Sequence, residues 1–115
     1  MPFNVKVHAN GPLLEWVLEN LSKNAIDAME GQGSITYVLT KGENQVILDI
    51  TDTGNGIPHN KFKTIFKPGY STKKRGWGLG LTLVKRIVEE YHKGKIFVVK
   101  SDPQSGTTFR LILKQ

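Results

Sequence analysis

Between residues 12 and 30 the stretch "PLLEWVLENLSKNAIDAME" repeats its apolar positions at helical spacing. Leu14, Val17, Leu18, Leu21, Ala25, Ala28 and Met29 share one face, which predicts an amphipathic helix. Pro12 suits its first turn and Gly31 its stop. The period then falls to two. "SITYVLT" (34–40) and "QVILDIT" (45–51) predict strands, joined as a hairpin by the polar turn "KGEN". Val46, Leu48 and Ile50 share one face of the second strand, and the same alternation carries Asp52 inward.

Periodicity lapses in "DTGNGIPHNKFKTIFKPGYSTKKRG", where only a short helix near Lys61 to Phe66 is expected. About 20 residues with little regular structure are unusual in a compact domain, and such loops often act as lids. Leu79 to Tyr91 reads as a second helix, with Leu83, Val84, Ile87, Val88 and Tyr91 inward and Gly94 at its end. "KIFVVK" (95–100) and "TTFRLILK" (107–114) follow as strands around "SDPQSG", and Phe109, Leu111 and Leu113 fit a sheet with one covered face. This order predicts an α/β (α+β) two-layer sandwich, a mixed β-sheet with helices on one face. The 115 residues suit one domain, 1–115, with a lid at about 57–76.

Composition narrows the function. The content of 38% hydrophobic and 23% charged residues is that of an ordinary globular chain. No apolar run approaches the roughly 20 residues that span a bilayer. "MPFNVKVHAN" lacks a signal peptide's apolar centre. Cysteine is absent, which excludes a disulfide framework and a thiolate metal site. A cytoplasmic location without direct membrane contact is expected. The net charge of +6 is more telling in its placement. Lys61, Lys63, Lys67, Lys73, Lys74 and Arg75 fall between Ile57 and Gly76 with no acidic residue among them. Elsewhere 10 basic residues balance 10 acidic ones, so the whole excess lies in one segment. Such a patch can be a solvated surface or a nucleic-acid footprint. Set beside a glycine turn, it suggests a small polyanion.

Three places could carry chemistry. Asn20 and Asn24, one helical turn apart, offer neutral oxygens to a hard cation that phosphates already coordinate; the alternative is a solvated polar pair. Asp52, at the inward end of an apolar strand, needs hydrogen bonds. An adenine amino group would serve, and so would a simple Asx-turn. "GWGLGL" brings Gly76, Gly78 and Gly80 to a helix N-terminus, where free amides and the helix dipole favour anions. Its spacing is neither the dinucleotide fingerprint nor a P-loop.

"NLSKNAIDAM", "DTGNGI" and "GWGLGL", in this order, resemble the N, G1 and G2 boxes of the Bergerat-fold (GHKL) nucleotide-binding domains, specifically the catalytic ATP-binding domain of sensor histidine kinases. "IFKPGYSTKKRGWGLGL" resembles that family's F box and lid, and "GTTFRLIL" its closing strand, so the likeness covers residues 5 to 114. The resemblance implies ATP with Mg²⁺. Asn24 would be the metal ligand and Asn20 a neighbouring phosphate or water contact. Asp52 would read the adenine amino group, with Gly54, Gly56 and Ile57 shaping the base pocket and Thr107 supporting it. Lys73 would face the phosphates from the lid, while Gly76, Gly78, Leu79 and Gly80 carry backbone to them. Phe66 and Tyr70 would position the lid. Two departures stand out: Gly69 replaces a customary aromatic residue, and Asp27 a customary lysine.

The ATPases of the wider superfamily place a glutamate four residues before the metal-binding asparagine. Here that position is Asn20, which cannot accept a proton near neutral pH. The resemblance therefore implies a kinase, with Asn24, Asn20 and Lys73 as its catalytic set, and a nucleophile from outside. His8, His59 and His92 do not sit in the family's phosphoacceptor motif, so the dimerisation and histidine-phosphotransfer helices are expected on a separate domain. The implied partners are that domain and, downstream, a response regulator. A serine kinase of the anti-sigma-factor kind is the alternative, and a nucleic-acid module would leave Asn24 and Asp52 without a role.

Overall fold

The computed structural model describes residues 11–67 and 80–114. Helix α1 spans Gly11–Ala28, and the hairpin strands follow as β1 (Ile35–Gly42) and β2 (Gln45–Asp52). Helix α2 (Gly80–Arg86) runs on into a π-helical turn, Ile87–Tyr91, before β3 (Lys95–Asp102) and β4 (Gly106–Lys114). The expected short helix near Lys61 to Phe66 is instead two single 3₁₀ turns, His59–Lys61 and Thr64–Phe66. Their amides reach back three residues, Lys61 to Pro58 and Lys67 to Thr64, so no α-turn propagates.

The sheet order is β1-β2-β4-β3. A mixed sheet is the expectation from sequence, yet every pairing among the described residues is antiparallel. Both chain-adjacent pairs are hairpins, and a tight turn can join only antiparallel neighbours. Asn44, at φ 58°, makes the first turn. In the second, Asp102 Oδ1 accepts the amides of Gln104 and Ser105 at 2.8 and 2.6 Å.

Alternation works in β2 as the sequence implies. Val46, Ile50 and Asp52 are buried and Leu48 half-buried. On the opposite face Asp49 takes a bidentate pair of bonds from Arg110 at 2.8 and 2.9 Å. The covered face meets both helices. Val17 and Leu21 of α1 and Val84 and Val88 of α2 cluster with Ile50, Ile96, Val98, Phe109, Leu111 and Leu113. Fully buried side chains such as Leu111 and Val84 contribute about 1.5–3 kcal/mol each. Phe66 joins this core edge-on to Phe109, their ring centres 6.1 Å apart.

The second helix departs from expectation. Leu83 and Tyr91, expected inside, are 40% and 61% exposed. The buried line is Val84, Val88 and His92, a spacing of four throughout. An α-helix would bring residue 91 under residue 84, but the wider π turn carries residue 92 there instead. His92 closes the turn, with its amide and Nδ1 lying 3.0 and 2.9 Å from the Ile87 carbonyl oxygen. Among the described residues no helix is long and apolar enough to cross a membrane.

Candidate functional site

The end of β2 holds the one buried carboxylate among the described residues. Asp52 is 3% exposed, and its Oδ1 accepts the amides of Gly54 at 2.7 Å and Thr107 at 3.3 Å. The first of these is an Asx-turn; the second ties β2 to the start of β4. Among the described residues no hydrogen bond ends on Oδ2. The Asx-turn therefore does not exhaust this side chain, because it uses one oxygen of two.

Three glycines draw the backbone tight around that carboxylate. Gly106 has φ 83°, and a Cβ on it would collide with the Asp52 carbonyl. A Cβ on Gly54 would lie 2.7 Å from the Ala28 carbonyl oxygen, and the Asn55 amide donates to that same oxygen at 3.2 Å. Gly56, also at φ 83°, would bring its Cβ within 2.7 Å of the Asp102 backbone. Gly54 thus presses the loop onto the C-terminus of α1, and Gly56 presses it onto the β3–β4 turn. The space a side chain would need is filled by the protein itself, so these glycines shape the loop by packing.

Beyond Gly56 the Ile57 amide donates to Ser101 Oγ at 2.6 Å, and Ser101 Oγ lies 2.6 Å from Thr107 Oγ1. Thr107 is 2% exposed. Sequence reasoning named Thr107 and Ile57 but missed Ser101. Counting alternation from Ile96 assigns Ser101 to the outer face. Counting register back from the hairpin turn would have placed it opposite Thr107, where the structure has it.

Asn20 and Asn24 sit one turn apart on α1, both half-buried. Asn20 Nδ2 donates to the Trp16 carbonyl at 2.8 Å, and its Oδ1 would be 3.9 Å from a Cβ on Gly80. Asn20 therefore faces the start of α2, while Ala28, two turns on, faces Gly54. Asn24 lies between them on a line of about 12 Å along the helix axis. Glu19 is exposed and lines a separate groove with Ser22, Ile26 and Tyr37. Lys73, Gly76, Gly78 and Leu79, with Gly69 and Tyr70, lie outside the described residues. Among the described residues no three histidines or carboxylates gather as a metal site.

Comparison with known proteins places this geometry in context. The family model described as histidine kinase-, DNA gyrase B- and HSP90-like ATPase matches residues 9–115. Sporulation kinase C of Bacillus subtilis (strain 168) is 39% identical over 100 residues, covering 87% of this chain and 23% of that protein. The chain thus spans under a quarter of that relative's length. The nucleotide-free catalytic domain of histidine kinase ThkA superposes with a TM-score of 0.82 at 32% identity, covering 94% of this chain and 70% of that one. A structure of histidine kinase ThkA in complex with response regulator protein TrrA gives a TM-score of 0.82 at 28% identity, covering 96% of this chain and 31% of that one.

Proposed function

Since this chain belongs to the family of histidine kinase-, DNA gyrase B- and HSP90-like ATPases, we propose that it grips Mg-ATP at both ends and presents the γ-phosphoryl to a histidine on a separate helical domain. That domain would in turn serve a response regulator, the kind of protein with which histidine kinase ThkA forms a complex. The observation that carries the reading is the buried Asp52 carboxylate, fixed through Oδ1 with Oδ2 unspent. Since no buried side-chain oxygen among the described residues lacks a partner, Oδ2 is not sealed from solvent, and it is open to a donor such as the amino group of adenine.

The chain's own residues divide the work. Asp52 orients the base, and the loop from Gly54 to Ile57 walls it. Asn24 would hold Mg²⁺ through its side-chain oxygen, midway along α1 between the base loop and the start of α2. When bound, that cation neutralises charge on the triphosphate. Asn20 holds a phosphate or a water beside it. Lys73 and the backbone from Gly76 to Gly80 receive the phosphate tail. Asn20 accepts no proton, and Glu19 opens on another groove, so neither of them readies water for attack. The bound nucleotide is kept for transfer, a reaction that depends mainly on positioning and charge.

The test pairs the chain with the helical domain of its own protein in the presence of Mg-ATP. The chain alone is expected to bind without labelling itself. The pair is expected to give a phosphoryl adduct that is stable in base and labile in acid. An adduct labile in base would assign a serine acceptor instead, and no adduct with the matched domain would refute transfer to histidine. Asn24→Ala is expected to abolish transfer while leaving some binding, and transfer retained in that variant would exclude the metal role.

A further inference from the structure

Strand β3 carries one irregularity. Val98 lies opposite Phe109 and Lys100 opposite Thr108, so Val99 has no partner and forms a β-bulge. Its consequence is a change of parity. Ile96 and Val98 point into the core, and uninterrupted alternation would place residue 100 inward and residue 101 outward. With Val99 inserted, Lys100 is exposed and Ser101 turns to the covered face, level with Thr107. Bulges beside functional sites often re-aim a side chain in this way.

We infer that Ser101 is a positioning residue for base recognition, delivered by the Val99 bulge to tie the Ile57 amide to Thr107. The inference rests on the nucleotide reading of the Asp52 loop. Ser101 Oγ accepts the Ile57 N–H at 2.6 Å and keeps its own hydrogen to give. Thr107 Oγ1 lies 2.6 Å away, where either hydroxyl can donate to the other, and the inferred role takes Ser101 as the donor. With the Ser101 proton spent there, the Thr107 hydroxyl retains a hydrogen for a second partner, next to the Asp52 carboxylate that its backbone amide already holds. A donor beside an acceptor matches the edge of adenine, where a ring nitrogen accepts beside an amino group that donates. Guanine presents the reverse order. Ser101 thus acts twice: it fixes the wall of the pocket at Ile57, and it sets the direction of the hydroxyl chain below the base.

The experiment compares the unaltered chain with Ser101→Ala and Ser101→Thr. Binding of AMP-PNP and of its guanine counterpart is titrated, and thermal midpoints and hydrogen exchange at the Ile57 amide are recorded. Ser101→Ala is expected to weaken AMP-PNP about five- to tenfold, the range of one net hydrogen bond. It should also narrow the preference over guanine and speed exchange at Ile57. Ser101→Thr keeps the hydroxyl and should restore most of the loss. Wild-type affinity and preference in Ser101→Ala would overturn the role. So would an equal loss for both nucleotides that tracks a fallen thermal midpoint, the mark of a merely structural residue. Failure of the unaltered, folded chain to bind AMP-PNP would instead overturn the nucleotide reading and this role with it.

Discussion

At Asp52 one side chain serves structure and recognition through different atoms, and a single substitution can separate them. Asp52→Asn keeps an oxygen for the Gly54 and Thr107 amides, which both end on Oδ1. It puts an NH₂ where Oδ2 was, so a donor would face the donor of adenine. The expected outcome is a near-native thermal midpoint together with a loss of about 1–3 kcal/mol in adenine nucleotide binding, the cost of a spoiled buried polar contact. Calorimetric titration and thermal melting on the same sample check it. Unchanged affinity would remove Asp52 from the pocket. The position was legible in the sequence because β2 alternates without a break from Val46 to Asp52, and uniform period-two pleating carries the carboxylate inward. Of its two bonds, the Asx-turn to Gly54 was one of the alternatives the sequence offers, but the bond from Thr107 was not legible, since that residue is 55 residues away in the chain.

Among elements, the β3–β4 turn supports the site from below, because Gly56 packs on the Asp102 backbone. The bonds that Asp102 accepts from the Ser105 hydroxyl and amide and the Gln104 amide hold its carboxyl below the ordinary value of 3.8. A depressed folded-state value stabilises the fold above the unfolded value and loses that contribution as pH falls through the folded one. Asp102→Ala is therefore expected to lower the urea midpoint at pH 7, and the difference from the unaltered chain should shrink below about pH 4. A difference constant from pH 7 to 3 would show that the carboxylate charge plays no part. This element also marks where sequence patterns fail. A fixed period found α1, β2 and β4, whose backbones keep that period along their length. It misjudged Tyr91 at the end of a π turn and overlooked Ser101 after a bulge, because each inserts extra backbone and shifts the phase of the side chains that come with it.

Across the molecule, the two ends of the proposed grip differ in kind. The base end is built from neutral packing and one carboxylate. The net charge of +6 arises wholly from the segment between Ile57 and Gly76, which leads to the phosphate end. Changes at the two ends should therefore separate by ligand. Replacing Lys73, Lys74 and Arg75 together by alanine removes half of that excess. The variant is expected to bind AMP-PNP about tenfold more weakly, as removing three positive charges from the basic segment implies, and to bind adenosine almost unchanged. Asp52→Asn should weaken both ligands alike. Salt gives an independent check, since exposed charges are screened over about 8–10 Å near physiological ionic strength. Raising salt should weaken AMP-PNP binding in the unaltered chain more than in the triple variant, and should leave adenosine binding level in both. If the triple variant lost adenosine as steeply as AMP-PNP, the basic segment would be acting through the fold of the pocket, and charge would not be its contribution.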